Sequence, residues 1–153
     1  MNQPHQDVAD RVALRLLVDN YASAVDHKDV PAVVGLFSPG GRLVSHFGPG
    51  TRREPIVRTG RDDIAAALDA GLASYLSTTH VVGGQAVVLD GDAASGETTC
   101  LAHHVYDGED GGRRLLVLAV RYADRYVRDG GAWYFAERQL RLDWRDDRPL
   151  AER

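Results

Sequence analysis

Leu14, Leu17, Val18, Tyr21 and Val25 fall at i, i+3, i+4, i+7 and i+11, one stripe of a helix with a 3.6-residue period. They predict an amphipathic helix from Asp7 to about His27, with Arg11, Arg15, Asp19 and Ser23 on a solvated opposite face. A second short helix is expected from near Asp29, with Pro31 in its first turn, ending before the turn sequence Ser38-Pro39-Gly40-Gly41. Leu43 to Phe47 reads as a strand closed by Gly48-Pro49-Gly50. Thr59-Gly60-Arg61-Asp62 has capping-box spacing, with Asp in place of Glu or Gln, and opens a third helix carrying Ile64, Leu68, Leu72 and Leu76 at four-residue spacing.

Beyond Ser77 the pattern changes. Thr79–Leu89, Ala93–Tyr106, Arg114–Val127 and Ala132–Trp144 are rich in apolar and β-branched residues, and Asp- and Gly-rich turns separate them. Leu116, Leu118, Val120 and Tyr122 alternate onto one face of the third of these strands, Arg121 and Arg125 onto the other. In the last strand Trp133 and Phe135 occupy odd positions but Leu140, Leu142 and Trp144 even ones, so a bulge is expected near Glu137–Gln139. Helices followed by an antiparallel meander predict an α+β fold, with the helices packed on one face of a curved, mainly antiparallel sheet. The chain reads as one domain over residues 1–153, its core about 7–145 and residues 146–153 a mobile tail.

Composition narrows the partners. The 153 residues carry 22 acids against 18 bases, a net charge of −4, so the basic surface of a nucleic-acid binder is not expected. The longest apolar runs, Ala32–Phe37 and Leu115–Val120, are far shorter than the ~20 residues of a membrane helix. The one cysteine, Cys100, has no partner for an internal disulfide, and no leader pattern opens the sequence, which together suggest a cytoplasmic setting. Lys28 is the only lysine among the basic residues, and with the abundant Ala, Gly and Arg this hints at a bacterial, GC-rich coding sequence.

Candidate chemistry lies in the histidines. His80 begins one strand and His103-His104 end the next. A hairpin centred on Gly91 would place residue 80 opposite Ala102, with His104 its diagonal neighbour on the same face and His103 on the other. A one-residue slip at Gly83-Gly84 would exchange the two. Two histidines on one face, near Tyr106 and Tyr122, suit acid–base work, although single strand histidines are commonly structural. The sequence has no HExxH and no Cys pair, so neither a metal nor another cofactor is expected. Asp26 ends the first helix five residues after Tyr21, about 140° around the axis. It joins a pocket only if the helix stops there. Leu68, Leu72, Val120, Tyr122 and Trp144 are the expected lining of a mostly apolar pocket.

The stretches Tyr21-Ala22-Ser23-Ala24-Val25-Asp26, Thr79-His80, Asp90-Gly91-Asp92, Ala102-His103-His104 and Arg121–Tyr126, with Gly131-Ala132-Trp133 and Leu142-Asp143-Trp144, resemble the SnoaL-like branch of the nuclear-transport-factor-2-like superfamily. Within it they are similar to the scytalone dehydratase and bile-acid dehydratase type. The resemblance covers nearly the whole chain and implies a cone-shaped α+β barrel with a deep apolar pocket. It implies Asp26 and His80, 54 residues apart, as that type's Asp and first catalytic histidine, and His104 as its second. His46 stands where the scytalone dehydratase type has a substrate-binding Tyr, and Val25 replaces the Tyr that directly precedes its Asp. Tyr21 instead matches a Tyr of the bile-acid dehydratase type.

Together these readings give Asp26, His80, His104 and Tyr21 as candidate catalytic residues. His46, Tyr122, Val120, Leu68, Leu72 and Trp144 are candidate substrate contacts. The expected activity is a cofactor-independent dehydration, or an isomerisation or cyclisation through an enolate, on a hydrophobic carbonyl compound. The alternative is a non-catalytic ligand-binding or interaction module of the same fold. By resemblance the chain is expected to form a homodimer or homotrimer through the outer face of the sheet.

Overall fold

A computed structural model describes residues 4–47 and 54–151. Gly48-Pro49-Gly50 lies outside them, so the turn expected there is not described. Among the described residues three helices, α1 (Pro4–Asp26), α2 (Val30–Gly35) and α3 (Arg61–Leu72), accompany six strands: β1 (Phe37–Ser45), β2 (Ile56–Thr59), β3 (Ser77–Asp90), β4 (Ala93–Asp107), β5 (Arg113–Asp129) and β6 (Ala132–Pro149). The sheet order is β2-β1-β6-β5-β4-β3, with β1 parallel to β6 and every other pair antiparallel. β2 and β3 are its two edges, so the expected barrel is an unclosed, curved sheet.

The predicted stripe of α1 is its buried face: Leu14, Leu17, Val18, Tyr21 and Val25 are all less than 8% exposed. Arg11 and Arg15 do more than face solvent. Their guanidinium groups donate to the Val87 and Gly83 carbonyls, each at 2.8 Å, and so cover the open edge of β3, where unpaired backbone groups would otherwise invite a second strand.

α1 stops by a Schellman turn. Asp29 N–H bonds Ala24 O and Lys28 N–H bonds Val25 O, both at 2.9 Å, with Lys28 left-handed at φ 54°. Asp29 then caps α2 by accepting from Ala32 N–H at 3.1 Å. This sharp stop leaves Asp26 as the last helical residue.

Several local expectations are corrected. Ser38-Pro39-Gly40-Gly41 is not a turn but part of β1, accommodated by a register shift between Phe37 and Arg42. Gly60, at φ 83°, is the N-cap of α3 in place of Thr59, and the Asp63 carboxylate reaches back to Thr59 N–H at 2.9 Å. Leu76 lies beyond α3 and is exposed. Strand β2, which is short and largely exposed, was not anticipated. Residues 146–149, expected as a mobile tail, complete β6 and pair with β5 as far as Arg114↔Pro149.

β6 holds two bulges. The register skips Ala136 between Phe135 and Glu137, and skips Asp143 between Leu142 and Trp144. The first, one residue before its expected place, turns Leu140 and Leu142 to the side of Tyr122 and Val120. The second reverses the parity again, so Trp144 pairs with Ala119 on the outer face and is 52% exposed.

Candidate active site

The hairpin β3–β4 sets the histidines. Near its turn, Asp90 pairs with Ala93 and Gln85 with Thr98; beyond Gly83-Gly84 the register slips by one, so that His80 faces Ala102 and Thr78 faces His104. The turn centre is half a residue from the expected one and the glycine bulge compensates for it. His80 and His104 therefore share a face, with ring centroids 5.8 Å apart. His103 is on the other side, its Nδ1 at 3.2 Å from Thr79 O.

Asp26 reaches this face from the end of α1. Its Oδ1 lies 2.7 Å from His80 Nδ1 and accepts from the Thr78 hydroxyl at 2.9 Å, while Oδ2 accepts the His80 backbone N–H at 2.9 Å. Burial pushes the carboxyl's pKa up, but the His80 backbone and imidazole and the Thr78 hydroxyl outweigh it and hold the acid below its ordinary value. A carboxylate only accepts, so His80 carries its proton on Nδ1 and leaves Nε2 as the basic nitrogen.

His104 is 7% exposed and its Nδ1 is buried without a hydrogen-bond partner among the described residues. Burial, with the neighbouring His80, pushes its pKa down to about 4. It is a neutral imidazole at neutral pH. Tyr75, on the turn between α3 and β3, packs its ring 4.5 Å from that of His104.

These groups line a cavity of about 200 Å³ together with Tyr21, Val25, Phe47, Leu68, Leu72, Leu118, Val120, Tyr122 and Leu140. Among the described residues the lining contains no Lys, Arg, Asp or Glu side chain. Seven of the ten candidate residues, His80, His104, Tyr21, Tyr122, Val120, Leu68 and Leu72, meet here, and Asp26 stands directly behind His80. Two do not. His46 is exposed, its Nε2 2.9 Å from Gln139 Oε1, and the neighbouring Phe47 lines the cavity instead. Trp144 is turned outward by the second β6 bulge. Phe47 and Tyr75 fall at the ends of the expected strand and third helix, but β1 stops at Ser45 and α3 at Leu72, so both rings enter the cavity from beyond an element, where periodicity assigns no face.

Beneath the cavity floor lies a wholly buried ion pair. Arg138 Nε and a terminal nitrogen donate to the two oxygens of Asp124 at 2.9 and 3.0 Å, and Tyr126 donates to the same carboxylate at 2.9 Å. The guanidinium carbon stands 4.3 Å over the Tyr21 ring and 3.8 Å over the Tyr122 ring. Burial disfavours the cation, but Asp124 outweighs burial and raises its pKa. Burial also pushes both tyrosines up, so Tyr21 and Tyr122 remain protonated donors. No group of three or more His, Cys, Asp or Glu suited to a metal occurs among the described residues, and no described helix is long and apolar enough to cross a membrane.

The family model described as a SnoaL-like domain matches residues 6–139. An uncharacterized protein of Mycobacterium tuberculosis is 23% identical over 133 residues, spanning 86% of this chain and 84% of its own length. Among solved structures, a scytalone-dehydratase-like protein of Novosphingobium aromaticivorans superposes with a TM-score of 0.82 at 21% identity, over 97% of this chain and 94% of its own. A hexachlorocyclohexane dehydrochlorinase of Novosphingobium barchaimii superposes with a TM-score of 0.78 at 16% identity, over 97% and 95%. At such identities the likeness shows a shared fold.

Proposed function

This chain belongs to the SnoaL-like domain family, and from that premise we propose that it is a cofactor-independent acid–base enzyme acting on a small, uncharged, hydrophobic carbonyl compound. The observation that carries the reading is the Asp26–His80 pair behind an apolar cavity. The two solved structures of similar fold are named for eliminations, which fits the same class.

With Nδ1–H held by Asp26, His80 Nε2 takes a proton beside the carbonyl, and Asp26 stabilises the imidazolium that forms. Tyr21 donates to the oxygen as enolate charge develops. A β-hydroxyl then leaves with the proton returned from His80, so the net change is the loss of one water. His104, neutral at working pH, holds the departing hydroxyl rather than serving as a standing acid. Isomerisation or cyclisation would share the enolate step.

Cavity size and charge narrow the substrate. An apolar cavity of about 150 Å³ accommodates a benzene ring, so one ring or two small fused rings suit this one. An anionic group would find no cationic side chain on the described walls. The test is a screen of neutral cyclic β-hydroxyketones for enone absorbance. Wild-type turnover with a ~10²–10⁴-fold loss in Asp26→Asn and His80→Ala supports the proposal, and equal turnover in folded variants removes it.

We also infer a cytoplasmic setting, supported by the lone, buried Cys100, and self-association as a dimer or trimer. Support for the latter is a row across the outer face, Val81↔Leu101↔Ala119↔Trp144, of which Val81, Leu101 and Trp144 are 52%, 39% and 52% exposed. On β6 this row lies between Arg141 and Asp146, so a two-fold axis along it would set unlike charges together. Sedimentation of Trp144→Asp as a monomer, against an associated wild type, is the expected result; a monomeric wild type would refute it.

A further inference from the structure

Tyr75 belongs to no helix or strand, yet its turn is tied down on three sides. Its N–H bonds Leu72 O at 3.2 Å, Leu76 N–H bonds Val105 O at 2.7 Å, and its own carbonyl accepts from the Lys28 ammonium. Lys28, the chain's only lysine, occupies the left-handed position of the turn that follows Asp26. One side chain therefore bridges the end of α1, which supplies Asp26, and the turn that lays a ring on His104.

That ring meets an unusual neighbour. His104 is more than nine-tenths buried and keeps a buried nitrogen with no partner among the described residues. Leaving such a group unpaired costs about 1–3 kcal/mol, and native structures retain few of them without a functional reason. The Tyr75 ring is tilted 45° against the imidazole and stands 6.4 Å from the Tyr106 ring. Both Tyr75 and His104 line the cavity.

We propose that Tyr75 is a positioning residue for His104, its ring closing the imidazole against His80 and away from water, with Lys28 holding it in place. The inference rests on the acid–base reading above and adds how the second histidine is kept uncharged and fixed for a bound hydroxyl. Lowering of the His104 pKa by burial agrees with it. The titratable and charged groups that face His104 are His80 and, behind it, Asp26 from β3 and α1, Tyr75 from the turn, and Tyr106 on its own strand. Opposite it on β5 is Leu116, and Arg145 and Asp147 stand near Tyr75.

The test is an NMR titration of the histidine rings in the full chain, comparing wild type with Tyr75→Phe, Tyr75→Ala and Lys28→Met. The expected result is a His104 midpoint unchanged in Tyr75→Phe and raised by about one unit or more in Tyr75→Ala as water reaches the ring. Lys28→Met should move it the same way by less. Should Tyr75→Ala fail to fold, Tyr75→Val keeps an apolar turn residue too short to cover the imidazole, and the same rise is expected. An unmoved midpoint in either folded variant, or an equal rise in Tyr75→Phe, overturns the proposal. The titration needs no substrate, so an empty activity screen leaves it standing. Loss of the Asp26–His80 hydrogen-bonded proton signal in the wild type would instead count against the acid–base reading.

Discussion

Asp26 holds His80 twice, at the imidazole Nδ1 (2.7 Å) and at the backbone N–H (2.9 Å). The ring contact fixes the tautomer; the backbone contact fixes where the strand stands relative to the end of α1. Because the side-chain and backbone contacts both oppose burial, removing the ring alone should let burial regain ground. In His80→Ala the Asp26 pKa is expected to rise from its lowered folded value, as read by carboxyl NMR. No rise would mean that the backbone N–H and Thr78 suffice.

Stability should fall on mild acidification, and His104 sets the window. Its pKa is about 4 when folded against 6.5 as a free group. Below 6.5 the unfolded chain binds a proton that the folded chain refuses, so this contribution is complete above 6.5 and lost as pH falls towards 4. The shift corresponds to roughly 3 kcal/mol as an upper figure. Asp26 loses its contribution only at lower pH, since its folded pKa lies below the ordinary carboxylate value. Urea midpoints between pH 7 and 4 should decline in wild type, and far less in His104→Gln.

The fold was legible where periodicity was strong and obscure where bulges intervene. The α1 stripe and the four-strand meander follow directly from spacing. The His80–Ala102 pairing was reached from a turn centred half a residue away, because the Gly83-Gly84 bulge compensates for the offset. One β6 bulge is visible as a parity change, but the second, at Asp143, is followed by the all-charged Arg145-Asp146-Asp147-Arg148, with no apolar alternation to betray it, and so the pattern places Trp144 inward. The Arg138–Asp124 pair is only half legible: Asp124 has the buried-face parity of Val120 and Tyr122, but nothing local marks Arg138, shifted by the bulge at Ala136, as its partner. Resemblance supplied the choice of Asp26; geometry explains how a terminated helix brings it to His80.

The glycine bulge should be essential to the site. Deleting Gly84 removes the one-residue slip, and either His80 or the whole outer half of the hairpin must then change face. The deletion variant is expected to lose the Asp26–His80 proton signal while keeping strand content by circular dichroism. Retention of that signal would show that the register is set elsewhere.

Arg138 should be the costliest side chain to remove. Both members of its pair with Asp124 are fully buried, and breaking such a pair from one side typically costs about 3–5 kcal/mol. Arg138→Met should lose about that much in urea unfolding, and Arg138→Met with Asp124→Leu should lose less than the sum of the single changes. Additive losses would mean that the two charges are not coupled.

The central claim, that His80 backed by Asp26 removes a proton beside a carbonyl, can be tested without the natural substrate. Small cyclic ketones such as tetralones would be incubated with the protein in D2O and their α-deuterium content followed by NMR. The account expects exchange above the buffer rate with wild type, reduced by ~10²-fold or more in folded His80→Ala and Asp26→Asn. Exchange that is equal in all three proteins, or absent from wild type with ketones shown to occupy the cavity, would contradict it.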